Sequence, residues 1–212
     1  VPDIRYGYSD GKDVGGQPFV DRWVTYGPNL LKGKPYTISA PPTGQWGGDD
    51  PQGAKLTNGI VGPPYAGGIA PRSGAIWNTK SSQPEITVDM GRPETVGAFR
   101  IHLTAGWPWW DALRGEVQDE VEVLTSLDGQ TYRSHGKFDL NLRRKDIPIN
   151  HFITDEETAR AWNYERIPET PVSARYVKYK VTPRRALCVT EVQALKFINY
   201  EPFDIRIALP DD

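Results

Sequence analysis

Apolar and polar residues alternate with a period of two in six segments of the chain, and this alternation predicts half-buried β-strands. In one of them the apolar positions are Ile86, Val88 and Met90, separated by Thr87 and Asp89. The six segments are residues 85–90, 98–104, 120–126, 175–181, 189–197 and 203–209. Many short strands with little helical periodicity predict an all-β sandwich instead of an alternating α/β sheet.

Two local signals refine this outline. Asp128-Gly129 follows one predicted strand closely, and this pair favours a tight hairpin because glycine tolerates positive φ. Residues 154–162 predict the one short helix, with Thr154 as its cap and Glu157 completing a capping box. We expect this helix inside a long insertion at residues 139–171.

The chain of 212 residues fits one domain, since all-β sandwiches of this size commonly form one core. We expect residues 29–198 to form the sandwich. Residues 1–28 and 199–212 are then terminal extensions packed on it, with the chain past Asn199 pairing with the first segment. A core of this size needs no metal to fold, so any metal reinforces it locally.

Composition limits the classes of partner. The 25 basic and 27 acidic residues nearly balance and form no phosphate-binding stripe, so we expect no nucleic acid. Two basic clusters, residues 143–145 and 184–185, are either solvated loops or contacts for an anion or uronate. No apolar run approaches the ~20 residues of a membrane span. Cys188 is the only cysteine, which excludes an internal disulfide and fits a secreted protein, extracellular or periplasmic.

Seven short motifs follow one another between residues 29 and 197. They are residues 29–37, residues 55–59, Trp77, residues 86–91, residues 121–129, residues 174–177 and residues 189–192. Their order resembles the discoidin, or coagulation factor 5/8 type C, superfamily, which includes bacterial carbohydrate-binding modules. The resemblance implies a jelly-roll sandwich of the galactose-binding type, with long loops and with Trp77 in its core.

The same resemblance implies a structural Ca²⁺. Its ligands would be the carbonyls of Lys55, Ile60 and Thr190 with the side chains of Asn58 and Glu191, all of them oxygen ligands of the kind that calcium takes. Asn58 stands where the family most often has Asp, which removes one negative charge. Nearby Asp49 and Asp50 are possible substitutes for that charge. The alternative is that Asn58-Gly59 is only a turn and Glu191 a solvated strand residue.

The most unusual stretch is residues 105–111, where three tryptophans occupy four positions between two predicted strands. Such rings either fill the end of the sandwich or form a platform for the apolar face of a sugar. The candidate ligand-binding residues are Trp107, Trp109, Trp110, Asp111 and Arg114, with Trp46, Trp162 and Tyr164 completing a cleft.

These features favour a non-catalytic module that binds carbohydrate, as a monomer or as part of a larger multidomain chain, and that targets a parent enzyme or surface protein to glycan. An adhesion module for protein or lipid is the alternative from another class, because exposed apolar side chains on the same loops serve both. A small glycan lyase or hydrolase is a weaker alternative, for which Asp119-Glu120 or Asp155-Glu156 would supply carboxylates. The sequence contains no nucleophile elbow, phosphate loop or zinc-protease motif.

Overall fold

The fold is built almost entirely from antiparallel strands. The computed structural model describes residues 4–14, 17–42, 48–60, 74–77, 83–105, 120–138, 160–182 and 187–202. Its strands are β1 Ile4–Val14, β2 Gln17–Asn29, β3 Tyr36–Ile38, β4 Ala75–Trp77, β5 Glu85–Ala105, β6 Glu120–Ser126, β7 Arg133–Lys137, β8 Arg160–Arg166, β9 Val172–Thr182 and β10 Leu187–Pro202. A short 3-10 helix, Lys55–Thr57, lies between β3 and β4. The predicted all-β class is confirmed.

The strands form two layers that share β5. The hydrogen-bonded order is β1-β2-β10-β5-β9-β6-β7, while β3 and β8 also pair with β5 and β4 pairs with β10. The first part of β5, residues 85–96, pairs with β9, and residues 96–104 pair with β10. The register to β9 shifts between Asp89 and Glu94, and Gly91 lies within this irregularity at φ 87°. The two strands predicted on either side of Gly91 are therefore one strand that passes from layer to layer.

The core lies between the layers and follows the predicted alternation. Ile86 and Val88 of β5 are fully buried, as are Val121 and Val123 of β6. They pack in one cluster with residues of the second layer, including Phe99, Ile101 and Val192. Tyr179 is also fully buried, and its hydroxyl donates to the Gln193 carbonyl of β10 at 2.5 Å, which ties the layers together.

Two predictions about single positions are confirmed. Trp77 is fully buried in the core, and its Nε1–H donates to the Ala40 carbonyl at 2.9 Å. Gly129 adopts φ 76° in the connection between β6 and β7, although this connection spans residues 127–132 and is longer than the predicted tight hairpin. Both follow from local chemistry, because a buried indole needs an acceptor and the turn needs a residue that adopts positive φ.

The last described strand pairs with one near the start of the chain. Residues 199–202 of β10 lie opposite residues 22–25 of β2, which in turn pairs with β1. The strand predicted at residues 203–209 lies outside the described residues.

The predicted helix at residues 154–162 is wrong where the structure describes it. Arg160, Ala161 and Trp162 belong to β8, which pairs with β5 in the register Leu103 to Trp162 and Ile101 to Tyr164. Residues 154–159 lie outside the described part of the chain. The aromatic residues Trp162 and Tyr164 alternate along the chain, which favours a strand. The capping pattern at Thr154 and Glu157 does not reveal that β5 is available as the hydrogen-bonding partner of this strand.

Candidate functional site

The tryptophan-rich segment, residues 106–119, lies outside the described part of the chain, between a strand of one layer and a strand of the other. It starts after Ala105 in β5 and ends before Glu120 in β6. Glu120 lies opposite Thr182, and Thr104 lies opposite Cys188, so both strand ends adjoin the short connection between β9 and β10. The β6–β7 hairpin turn lies at the other end of β6.

Most of the predicted ligand-binding residues lie outside the described part of the chain: Trp107, Trp109, Trp110, Asp111, Arg114 and Trp46. The other two belong to β8, where the backbone of Trp162 lies opposite Leu103 and that of Tyr164 opposite Ile101. Strand β8 therefore runs along the part of β5 that leads into the tryptophan-rich segment, and Trp162 lies two residues from the start of β8 at that end.

Glu191 is the most unusual described residue of the predicted metal site, because its side chain is fully buried. The Gly59 amide donates to both carboxylate oxygens at 3.2 Å, and Asn29 Nδ2 donates to Oε1 at 3.4 Å. Lys32 lies across Gly59 and attracts the carboxylate, yet among the described residues no basic side chain forms an ion pair with Glu191. The idea that Glu191 is a solvated strand residue is therefore wrong.

Burial raises the pKa of Glu191 to about 8, and the Gly59 amide and Lys32 only partly oppose this. An ionised carboxylate in such a place is costly unless a cation or further donors compensate it. The surroundings of Glu191 supply neutral donors and leave its charge largely uncompensated. A bound cation would favour the ionised form.

The loop of residues 55–60 contacts Glu191 through the Gly59 amide, and Asn58 and Ile60 are the neighbours of Gly59 in that loop. Asn58 ends the 3-10 helix that starts at Lys55, and its Oδ1 accepts from the Ile60 amide at 2.7 Å. Gly59 adopts φ 82°, so the turn that we considered at Asn58-Gly59 is present together with the buried Glu191. Thr190 is the extra residue where the register between β10 and β5 shifts, and such a bulge interrupts the ladder.

One of the two aspartates considered as substitutes for the missing charge, Asp50, is engaged elsewhere through its carboxylate. Asp50 bonds the Tyr36 hydroxyl through Oδ2, and its Oδ1 accepts from the Ala54 amide at 3.1 Å. The Asp49 carbonyl accepts from the Lys55 ammonium. Within the described residues, no group of three or more His, Cys, Asp or Glu is arranged to hold a metal. A cation here would therefore rely on carbonyl and amide oxygens around one carboxylate.

The structure also shows a cleft that the sequence did not predict. It has a volume of about 650 Å³ and lies between the β6–β7 hairpin and the connection from β8 to β9. Arg133, His135 and Arg166 line it. The one sequence signal for it is Gly136, because a glycine inside a strand often marks the close approach of another group.

Comparisons with known proteins concern the fold alone. No protein-family model matches the chain, and neither does any curated protein. The solved structure "CpGH89CBM32-6 produced by Clostridium perfringens" is 12% identical, covers 80% of this chain and 99% of its own, and has a TM-score of 0.45. The "Lectin Domain of Lectinolysin complexed with Lewis B Antigen" is 17% identical, with coverage of 80% and 96% and a TM-score of 0.48.

A "Streptococcus pneumoniae fucose binding module" is similar at 15% identity, 80% and 95% coverage, and a TM-score of 0.43. These identities and TM-scores are too low to transfer a ligand or a site to this chain. In the described part of the chain, no helix has the length and apolarity needed to cross a membrane.

Proposed function

We propose that this protein is a non-catalytic carbohydrate-binding module. The observation that carries the proposal is the position of the two strand ends that flank the tryptophan-rich segment, because Ala105 ends β5 in one layer and Glu120 begins β6 in the other. Three tryptophans in four positions of such a connection are suited to stack on the apolar face of a sugar ring, with Asp111 and Arg114 near enough in sequence to bond its hydroxyls.

The described strand residues support binding more than catalysis. Glu120, one of the carboxylates considered for a hydrolase, accepts from Lys137 Nζ at 2.6 Å in an exposed ion pair on the surface of β6 and β7. A carboxylate held in an exposed ion pair of this kind is typical of a protein surface and supports a role outside catalysis. The useful effect of a binding module is then a raised local concentration of whatever enzyme or surface protein it is joined to.

We further propose that Ca²⁺ binds beside Glu191. The buried carboxylate, the loop of residues 55–60 folded over it and the bulge at Thr190 support this proposal. The ligands would be the carbonyls of Lys55, Ile60 and Thr190 with Asn58 and Glu191. When bound, the cation would neutralise Glu191 and hold the loop against β10. With a single acidic ligand we expect weak affinity, because calcium affinity increases with the number of charged ligands.

The binding proposal is tested by titrating neutral polysaccharides and oligosaccharides while tryptophan fluorescence is recorded. We expect at least one glycan to shift the emission, and expect replacement of Trp107, Trp109 or Trp110 by alanine to weaken that binding. Ile198→Ala is the matched control, because Ile198 is 49% exposed on β10, beyond Lys196 and away from the end of that strand that pairs with Thr104. Sedimentation with liposomes in place of glycan binding would favour the adhesion alternative. Release of sugar product would overturn the non-catalytic assignment.

A further inference from the structure

The cleft beside the β6–β7 hairpin lies at the end of β6 opposite Glu120, the strand end that follows the tryptophan-rich segment. Its volume of about 650 Å³ is within the range of ~300–1,000 Å³ typical of small-ligand sites. Three turns or connections define this end: the hairpin at Asp128, the residues after β8, and the irregularity of β5 at Gly91. The described lining of the cleft includes neither Ala105 nor Glu120, the two residues that flank the tryptophan-rich segment.

His135 lies at the base of the cleft between the two layers. Its Nε2 lies 2.7 Å from Thr125 Oγ1 of β6, and its ring stacks on Phe99 of β5 with centroids 5.6 Å apart. Burial lowers the pKa of His135, and the positive charges of Arg133 and Arg166 lower it further. At neutral pH the imidazole is therefore uncharged, and the positive charge of the cleft belongs to the two guanidinium groups.

Both arginines are available to a ligand. Arg166 is positioned by donating Nε–H to the His135 carbonyl at 2.8 Å. Its guanidinium lies against Gly136, where a Cβ atom would approach Nη2 to 2.9 Å. Among the residues that the structure describes, neither Arg133 nor Arg166 forms an ion pair with a carboxylate. An arginine has five N–H donors in a planar fork, so most of these donors are uncommitted.

The two carboxylates that line the cleft do not neutralise these arginines. Asp128 is used by its own turn, where its Oδ1 accepts from the amides of Thr131 and Gln130 at 2.8 Å each. These bonds, with one from Ser126, lower the pKa of Asp128 to about 2. Glu169 is exposed on the connection after β8 and makes no ion pair with the described arginines. It is placed to accept from hydroxyl groups.

We propose that this cleft is a second saccharide site, selective for a sugar that carries a carboxylate, such as a uronate. A carboxylate matches the planar fork of arginine in bidentate geometry, and Arg133 and Arg166 flank the same imidazole. The hydroxyls of Thr131, Thr170 and Ser173 line the cleft with Glu169 and suit the hydroxyls of a sugar ring. The proposal extends the proposed carbohydrate-binding function to an acidic ligand class at a separate place on the fold.

The test uses the intact chain and trigalacturonate as the probe, with a neutral galactose trisaccharide and acetate as comparison ligands. Only three histidines are present, so imidazole NMR signals report on His135 with little overlap. We expect trigalacturonate to shift the His135 signals at concentrations where the neutral trisaccharide and acetate do not. Calorimetry then compares the wild type with Arg133→Gln, with the double variant Arg133→Gln/Arg166→Gln, and with Lys137→Gln.

The charged hydrogen bonds lost in the double variant should weaken trigalacturonate binding roughly tenfold to a hundredfold. Lys137→Gln is the matched control, because it removes one positive charge from the same strand outside the cleft lining and should leave affinity unchanged. Arg133 is exposed, so the single variant should fold even if the double variant does not, and it should weaken binding by a smaller factor.

Three results would overturn the proposal: unchanged trigalacturonate affinity in the arginine variants, equal shifts of His135 with the neutral trisaccharide, or equal binding of acetate alone. The same samples are titrated with neutral polysaccharide by tryptophan fluorescence. Loss of the uronate response with neutral binding intact refutes only this second site. A uronate response without any neutral binding refutes only the role of the tryptophan-rich segment.

Discussion

Replacing Glu191 by glutamine should remove a pH dependence of stability that the metal-free protein carries. Burial raises the pKa of this carboxyl from 4.5 to about 8. The folded protein then binds its proton more tightly than the unfolded chain does. The contribution of Glu191 to the free energy of unfolding is therefore fully present below pH 4.5. It is lost as the pH rises towards 8, because the buried carboxyl must then ionise.

The size of this effect follows from the two pKa values. Each pKa unit between the folded and unfolded states corresponds to about 1.4 kcal/mol. The metal-free wild type should thus lose on the order of 5 kcal/mol between pH 4.5 and pH 8 through Glu191. For a chain of this length that loss corresponds to a fall in melting temperature of roughly 10–20 °C.

The assay is thermal unfolding by circular dichroism at pH 5 and pH 8, in buffers freed of divalent ions. The melting temperature of Glu191→Gln should fall less than that of the wild type between these values. Adding Ca²⁺ at pH 8 should restore the wild type, since a ligand that binds only the folded state stabilises it, and should not restore the variant. Glu122→Gln is the control, because Glu122 accepts from Ser134 on the surface of β6 and should keep both responses.

Glu191 is not the group that causes the pH dependence if Glu191→Gln keeps the wild-type slope of melting temperature against pH. If Ca²⁺ raised the melting temperature equally in both proteins, Glu191 would not be a calcium ligand. That result would not contradict the burial of Glu191. A wild type that ignores Ca²⁺ but shows the pH slope would confirm the buried carboxyl and reject the cation.

Three further substitutions test the structure elsewhere. Trp77→Ala should cost about 3–5 kcal/mol in urea denaturation, because a fully buried indole is lost and the Ala40 carbonyl loses its donor; a cost below about 1 kcal/mol would contradict the core placement. Asp128→Ala should lower the melting temperature at pH 7. Its difference in melting temperature from the wild type should shrink as the pH falls from 3.8 towards 2, where Asp128 gains its proton. A difference that does not change with pH would show that the charge of Asp128 does not stabilise the turn. Gly136→Ala should lower the free energy of unfolding by about 1–2 kcal/mol, because Gly136 adopts φ 90°. It should also weaken trigalacturonate binding, because the new Cβ atom displaces Arg166. An unchanged affinity would show that Arg166 does not need its position against Gly136.

The parts of the fold that local patterns encode could be predicted from the sequence. Strand β6 has the predicted bounds, because the alternation of Val121 and Val123 with Glu120 and Glu122 marks its first half. Gly129 marks the turn that follows, and Trp77 occupies the core. Each depends on neighbours within a few residues, or on a side chain too large and apolar to be placed elsewhere.

Other parts depend on partners far away in the chain. Nothing near Gly91 indicates that the strands on both sides of it are continuous, since β9 pairs across the irregularity and holds them together. The burial of Glu191 required the loop around Gly59, 132 residues away in sequence, to fold over it. Asp50 was a plausible metal ligand by proximity in sequence, but Tyr36 holds its carboxylate.

The cleft at His135 was missed for the same reason as β8. A helix at residues 154–162 gives no cause to place Arg166 beside β7, whereas a strand paired with β5 brings Arg166 opposite Phe99, the residue whose ring stacks on His135. Once that pairing exists, Gly136 allows the guanidinium to lie against β7 and bond the His135 carbonyl. A single glycine in β7 was the local sign of a contact that spans 31 residues, and only the identity of its partner shows that the contact places a second guanidinium in the cleft that Arg133 lines.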